Sequence, residues 1–233
     1  MTHSYKMANS NRHILEARDI HKSFGMGSAR EHVLRGVNLY VGKGEFLAVM
    51  GPSGCGKSTL LHLLGLMDGP DSGNIIIDGQ DTSGMDEQSL ARIRRKKIGF
   101  VFQRFNLLNV LNGYDNIALS LRIRGLDTDG IDELLASMGI AEVARKNPEK
   151  LSMGQQQRLA VARAIAHKPD ILLADEPTGS LDSANARIVL DLFKRANQYD
   201  GLTVVMITHS PAVASVADRV VYMKDGKIID GNT

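Results

Sequence analysis

Gly51-Pro52-Ser53-Gly54-Cys55-Gly56-Lys57-Ser58 fits the pattern G-x4-G-K-S/T. It directly follows the apolar run Glu45–Met50, which reads as a strand, and opens an apolar helical run, Ser58–Met67. A strand, a glycine-rich bend and a helix start, in that order, make a cradle for phosphate. Glycines let the backbone curl until successive N–H groups face inward, and the helix N-terminus adds positive potential. In such a cradle Gly51, Pro52, Ser53, Gly54, Cys55 and Gly56 form the bend. Lys57 reaches the β- and γ-phosphates, Ser58 coordinates Mg²⁺, and Thr59 contacts the α-phosphate.

On either side of the bend, the hydrophobic pattern sets the class. Leu15–Ile20 and Val33–Val41 read as strands, with Gly42-Lys43-Gly44 as a turn before Glu45. Asn74–Ile77 reads as a strand ended by Asp78-Gly79, Ser89–Lys97 as a basic helix, and Ile98–Phe102 as a short apolar strand. Helices then take over: Gly113–Arg122, Ile131–Met138 and Gln155–His167. Alternation returns with strand Ile171–Ala174, helix Ala184–Asn197 and strand Val204–Ile207. Val220–Met223 and Lys227–Ile229 close the chain as a hairpin around Asp225-Gly226. Short apolar strands alternating with helices predict an α/β fold with a mostly parallel sheet covered on both faces. The expected division is a single domain: a core of residues 13–103 and 169–233 that carries the β lobe, and an inserted helical lobe of residues 104–168.

Ile171-Leu172-Leu173-Ala174-Asp175-Glu176 supplies the second half of a nucleotide site. An apolar central strand delivers Asp175 to its carboxyl end, where it can hold Mg²⁺ through water, and Glu176, one residue on, can polarise an attacking water. Together with the loop, these residues specify binding of Mg-nucleotide and its hydrolysis.

Composition narrows the class. Of 233 residues, Lys plus Arg number 28 and Asp plus Glu 26, a net charge of +2 that excludes a nucleic-acid binder relying on bulk charge. The single Cys55 excludes an intramolecular disulfide and fits a reducing compartment. Met1–Arg12 is polar and lacks the apolar core of a secretory signal. The longest uncharged stretch, Gly201–Ala217, contains Thr203, Thr208, His209, Ser210 and Pro211 and falls short of a membrane span. A role at a membrane therefore requires another chain to hold the protein there.

Leu151-Ser152-Met153-Gly154-Gln155 opens the helical run Gln155–His167. Ser152 and Gly154 ahead of a helix make a second anion-binding N-terminus. Two such ends far apart in one chain invite a head-to-tail dimer. This segment resembles the LSGGQ signature of the ABC ATPases, and further matches extend over almost the whole chain. Gln103, after Ile98–Phe102, resembles the Q-loop glutamine that contacts Mg²⁺ and water and senses the transport partner. Ser180-Leu181-Asp182 resembles the D-loop, and His209 resembles the switch histidine that faces the γ-phosphate. Phe24, in the loop after the first strand, resembles the aromatic residue that stacks on adenine. The resemblance implies a RecA-like P-loop ATPase core with an N-terminal antiparallel β lobe and an inserted α-helical lobe. It implies ATP and Mg²⁺ as ligands, with catalytic roles for Glu176, His209, Gln103 and Lys57. The ligand contacts extend to Ser152, Gly154, Gln155 and Asp182, and the metal contacts are Ser58, Gln103 and Asp175.

The implied assembly is a homodimer closed around two Mg-ATP molecules and coupled to integral-membrane permease subunits. It would sit peripherally on the cytoplasmic face of the bacterial inner membrane, with no nucleic-acid partner. The 48 positions from Gln103 to Leu151 leave no room for a coiled-coil arm. Ile98–Leu108, Gly65–Asp68, Ala174–Asp182 and Ala217–Val221 resemble the lipoprotein-release and macrolide-export group, although Gly125–Ile131 is shorter than usual there. That group drives export or mechanotransmission across the envelope. The alternative reading is a non-transport ABC ATPase that regulates an envelope complex, as in cell division, or a nucleic-acid complex. Three local expectations remain. Met153 replaces the signature's first glycine and fits only if its φ is negative. Cys55 sits where helix-end potential should make its thiol reactive. The basic run Arg92, Arg94, Arg95, Lys96 and Lys97 reads as a solvated helix face or a docking surface for a permease or anionic lipid.

Overall fold

The computed structural model describes residues 13–27 and 30–229. The polar segment Met1–Arg12 and the last four residues of the expected core, 230–233, lie outside the described residues. The chain begins with strands β1 (His13–Phe24), β2 (Glu31–Gly42) and β3 (Phe46–Met50), then helix α1 (Lys57–Leu64). Strands β4 (Ser72–Ile77) and β5 (Gln80–Asp81) lead to α2 (Glu87–Lys97) and β6 (Ile98–Val101). Helices α3 (Gly113–Arg122), α4 (Ile131–Ser137) and α5 (Met153–Ile165) follow. The chain closes with β7 (Ile171–Asp175), α6 (Ser183–Asp200), β8 (Thr203–Thr208), α7 (Pro211–Ala214), β9 (Arg219–Lys224) and β10 (Lys227–Ile229).

These strands form two sheets. One is antiparallel, in the order β2-β1-β4-β5. The other runs β10-β9-β3-β8-β7-β6, parallel throughout except for the β10 edge. Its central strands β3, β7 and β8 are buried at every position because both faces are covered. Phe46, Ala48, Leu172, Ala174, Val204 and Met206 face one core, shared with α3, α5 and α6. Leu47, Val49, Leu173, Val205 and Ile207, the intervening residues, face a second core shared with α1 and the antiparallel sheet. This period-2 division places one continuous sheet between two apolar layers.

Helix starts follow local chemistry. Asp86, Asn112 and Asp182 each accept a hydrogen bond from the backbone N–H three residues on, capping α2, α3 and α6. Several boundaries differ from the sequence expectation. Phe24 is the last residue of β1 and pairs with Glu31, so it is not in a loop beyond the strand. A bulge between Ala17 and Ile20 lets β1 bend and continue past Ile20. Helix α1 stops at Leu64, ahead of Met67, because Leu66 takes a left-handed conformation at φ 54°. Helix α5 starts two residues before Gln155, at Met153. No helix among the described residues is long and apolar enough to cross a membrane.

Candidate functional site

Strands β6, β7, β8 and β3 are successive neighbours, and their carboxyl ends lie side by side. Gln103, Asp175 with Glu176, His209 and the Gly51–Ser58 bend follow those four ends. Open α/β sheets bind ligands at this edge. A cleft of about 680 Å³ opens there. Ser53, Gly54, Gly56, Lys57, Ser58 and Thr59 form its floor. Phe24 and Val33, from β1 and β2, line one wall, and Gln103, Glu176 and His209 line another.

The bend is fixed by what packs beneath it. Gly51 has φ 155°, and a Cβ there would lie 2.1 Å from the Met223 carbonyl oxygen on β9, so only glycine fits. The Lys57 ammonium is buried and donates to the carbonyls of Gly51 and Pro52, both at 2.8 Å. Ser58 Oγ donates to Asp175 Oδ1 at 3.2 Å. Burial pushes the Asp175 carboxyl above the ordinary aspartate range, with the Ser58 hydrogen bond acting against it. Ser58 and Gln103 line the cleft, and Asp175, which is not among its lining residues, bonds Ser58; all three offer oxygen donors. The described residues hold no cluster of three or more His, Cys, Asp or Glu able to bind a metal unaided. That combination fits Mg²⁺, which binds through one or two protein oxygens plus substrate phosphates.

Glu176 is the first residue beyond β7 and has φ 43°, uncommon for a glutamate. Its N–H donates to the Ile207 carbonyl at 3.1 Å, and its own carbonyl accepts from Gly179 N at 3.1 Å. Those bonds hold the strained backbone, while its side chain meets His209: Nδ1 and Oε2 are 3.1 Å apart. A left-handed non-glycine residue costs of order 1–3 kcal/mol and concentrates at functional sites.

The signature segment does not line this cleft. Ser152 caps α5 in a reciprocal box. Its Oγ accepts from Gln155 N at 3.3 Å, and Gln155 Oε1 accepts from Ser152 N at 2.9 Å. The Gln155 side chain is therefore committed to capping. Met153 adopts helical φ and is 56% exposed, so the missing glycine introduces no strain. Gly154 is required for close approach: a Cβ there would lie 2.1 Å from Asn185 Oδ1. Asn185 in turn bonds Asp182 twice, through N–H and Nδ2, each at 2.8 Å. The Asn185 amides hold the Asp182 carboxyl below its usual range. Asp182, like the signature, stands outside the cleft.

Cys55 corrects the sequence expectation. Its side chain is only 7% exposed and packs into the core with Leu34, Leu60 and Met223. Its Sγ accepts from the Lys57 ammonium at 3.8 Å, so a cation stands beside the thiol, but burial shields it from reagents. Sequence reasoning also missed three supporting residues. Val33 lines the cleft with no chemical signature to mark it. Arg163 on α5 donates to the carbonyls of Asn106 (2.5 Å) and Phe105 (3.0 Å), just after Gln103. Asn116 on α3 is buried; its Oδ1 accepts from Leu108 N and its Nδ2 donates to the carbonyls of Leu108, Leu111 and Asn112. A buried Asn spending its amide on one loop fixes that loop's path.

A family model described as ABC transporter matches residues 34–179, which run from β2 through the glycine bend, the signature and Glu176. The chain belongs to the ATP-binding family of ABC transporters. This ABC chain is 44% identical over 221 residues to the macrolide export ATP-binding/permease protein MacB of Syntrophobacter fumaroxidans. The match covers 92% of this chain but only 31% of that relative, so the chain spans about a third of the length of the MacB proteins it matches. It is 43% identical to the bacitracin export ATP-binding protein BceA of Halalkalibacterium halodurans, covering 92% of this chain and 87% of that one. It is also 42% identical to the uncharacterized ABC transporter ATP-binding protein MJ0796 of Methanocaldococcus jannaschii, over 92% and 95% of the two chains. A dimeric MJ0796 structure superposes with TM-score 0.87 at 40% identity, over 92% of this ABC chain and 96% of that chain. A second, described as a dimeric post-hydrolysis state bound to ADP and Pi, gives TM-score 0.86. The expected ABC ATPase fold is thus borne out in both sheets and in the order of the elements.

Proposed function

We propose that this chain binds and hydrolyses Mg-ATP as one of two identical subunits and drives a separate membrane permease in export or mechanotransmission. The observation that carries the hydrolytic reading is the placement of Glu176 and its His209 partner on the wall of the cleft whose floor holds Lys57, Ser58 and Thr59.

The residues divide the chemistry as follows. Phe24, at the rim, offers a face on which adenine stacks, a contact worth about 1–3 kcal/mol in single-strand systems. The backbone amides of Ser53–Thr59 and the α1 N-terminus take up phosphate charge. Lys57, which donates to the Gly51 and Pro52 carbonyls, turns its ammonium to the β- and γ-phosphates. Ser58, Asp175 and Gln103 hold Mg²⁺, which when bound neutralises phosphate charge. Glu176 orients a water for in-line attack at the γ-phosphorus with ADP as the leaving group, and His209 holds that carboxylate in place and faces the γ-phosphate.

Ser152 and Gly154 stand outside the chain's own cleft, so their anion-binding helix end serves the nucleotide of a second copy, placed head to tail. The dimeric ADP- and Pi-bound MJ0796 structure supports this reading. Asp182, through Asn185, ties the signature end to the segment beyond Glu176. Residues 13–103 and 169–233 act as the catalytic core, and 104–168 as the lobe that carries the signature. A groove of about 420 Å³ beside Gln103, with Phe100, Phe102, Leu108 and Ile123 among its lining residues, is the place for the permease contact. The export names of the BceA and MacB relatives support the export side of the reading. The protein then sits peripherally at the cytoplasmic face of the inner membrane, held by the permease. The test is phosphate release from Mg-ATP by the intact chain and by Glu176→Gln. Release by the former, with loss of release but retained ATP binding in the latter, is expected. Equal release by both removes Glu176 from the reaction.

A further inference from the structure

A pocket of about 610 Å³ shares no lining residue with the nucleotide cleft and adjoins the groove assigned to the permease, with Arg95 and Arg124 lining both. Arg92, Arg95 and Lys96 enter it from α2, Arg124 from the segment after α3, and His167 and Lys168 from the segment after α5. Positions 92, 95 and 96 follow the i, i+3, i+4 spacing that puts three side chains on one helix face. Arg124 is fastened to that face: its Nε donates to the Arg95 carbonyl at 3.0 Å, and its Nη1 to the Ser120 carbonyl at 2.8 Å.

What distinguishes these cations is the lack of a paired carboxylate. On the same helix, Arg94 pairs with Glu87, and Lys97 with Asp78 and Asp170. Among the described residues, Arg92, Arg95, Lys96, Arg124 and Lys168 make no ion pair. Asp170, the carboxylate that lines the pocket, is the one already taken by Lys97. Burial, with a smaller contribution from the nearby Arg124, pushes His167 down to about 4. The imidazole's Nδ1 is buried without a hydrogen-bond partner, while Nε2 faces the Ile98 carbonyl at 3.2 Å. Basic residues in the last turn of α2 also complement that helix's C-terminal dipole. The dipole does not explain why Arg124 and Lys168, from two other segments, converge on the same space.

We propose that this pocket binds a multiply charged phosphate group, carried either by a soluble polyphosphate or by a lipid headgroup. A phosphate ester presents between one and two negative charges and three strong acceptor oxygens in one small volume, to which guanidinium forks bond in pairs. A peptide would need several carboxylates on adjoining residues to supply the same charge.

The experiment uses the full chain with its nucleotide cleft filled by Mg-ADP. Inorganic tripolyphosphate is titrated calorimetrically into the natural protein, into Arg95→Gln/Lys96→Gln, into Lys168→Gln, and into Arg195→Gln on exposed α6 as a control. Thermal melting checks that each variant is folded, and Lys168→Gln, a loop substitution, keeps the test alive if the double variant is not. Saturable binding that weakens roughly tenfold or more in the pocket variants, and stays within about twofold in the control, is expected. Sedimentation with vesicles containing phosphatidic acid, whose headgroup is a phosphate monoester, against phosphatidylcholine vesicles, separates the sources. Vesicle binding lost with Arg95 and Lys96 assigns a headgroup, and tripolyphosphate binding without vesicle binding assigns a soluble ligand. Binding of neither probe, equal binding by the pocket variants, or tighter binding of poly-glutamate than of tripolyphosphate overturns the proposal, the last in favour of an acidic protein segment.

Discussion

His209 Nδ1 lies 3.1 Å from Glu176 Oε2, and this contact joins the carboxyl ends of β8 and β7 across the mouth of the nucleotide cleft. Glu176 is held in its left-handed conformation by bonds to Ile207 and Gly179. Backbone and side chain are therefore both held, as the water-orienting role proposed for this carboxylate requires.

Removing the imidazole should free the carboxylate without disturbing the phosphate floor. His209→Ala is expected to lower steady-state phosphate release by about 100-fold or more. Nucleotide affinity should stay within about threefold, since phosphate binding rests on the floor, and His209→Gln, which keeps a donor, should recover part of the rate. Turnover by His209→Ala at the natural rate would show that Glu176 needs no such support.

Gly154→Ala places a methyl group where the Asn185 amide stands, so Asn185 must swing away and give up its Nδ2 bond to Asp182. Urea unfolding should show a loss of about 1–3 kcal/mol, the cost of overpacking. Gly154→Ala/Asn185→Ala should regain most of that loss, because the opposing side-chain oxygen is gone. A single variant as stable as the natural chain would contradict the contact between the start of α5 and the start of α6.

Cys55 should resist iodoacetamide in the folded chain and react fully once urea exposes it. Mass spectrometry of the modified peptide reads both states. Labelling of the native chain at the rate of an exposed thiol would contradict the packing of Cys55 against Leu34, Leu60 and Met223.

His167 gives acid sensitivity a defined sign. Folded, it titrates at about 4 against 6.5 for an ordinary histidine. Between those values the unfolded chain binds a proton that the folded chain refuses, so stability is lost as pH falls through that window and is unaffected above it. Allowing for partial exposure, the loss is on the order of 1–2 kcal/mol. Urea unfolding at about pH 7.5 and about pH 5 should therefore differ more for the natural chain than for His167→Gln. Equal differences would mean that the imidazole is not held neutral.

Much of this site was legible because its chemistry is local. Gly51–Ser58 needs its glycines and Lys57 in fixed order, and Asp175-Glu176 must end an apolar strand, so both patterns survive reading as a string. Period-2 and period-3.6 runs marked the sheet and the long helices for the same reason. Features that depend on distant residues were not legible. Cys55 seemed reactive from its neighbours in sequence, yet it is buried in a core cluster to which residues from far along the chain, Met223 among them, contribute. Phe24 seemed to lie in a loop because the bulge at Asp19 hides the continuation of β1. Asn185 carries no motif, and its role follows only from the meeting of α5 and α6. The two-residue β5 and four-residue α7 are too short to show a period.

The central claim is that two copies share each nucleotide, one offering Lys57 and Glu176, the other Ser152 and Gly154. Multi-angle light scattering of Glu176→Gln at saturating Mg-ATP tests it most directly, because the stalled variant cannot reopen the seam by hydrolysis. The account predicts the mass of a dimer with Mg-ATP and of a monomer when Ser152 is also replaced by a bulky residue. A Glu176→Gln chain that binds Mg-ATP and yet keeps the monomer mass, alone and with its permease, would contradict it.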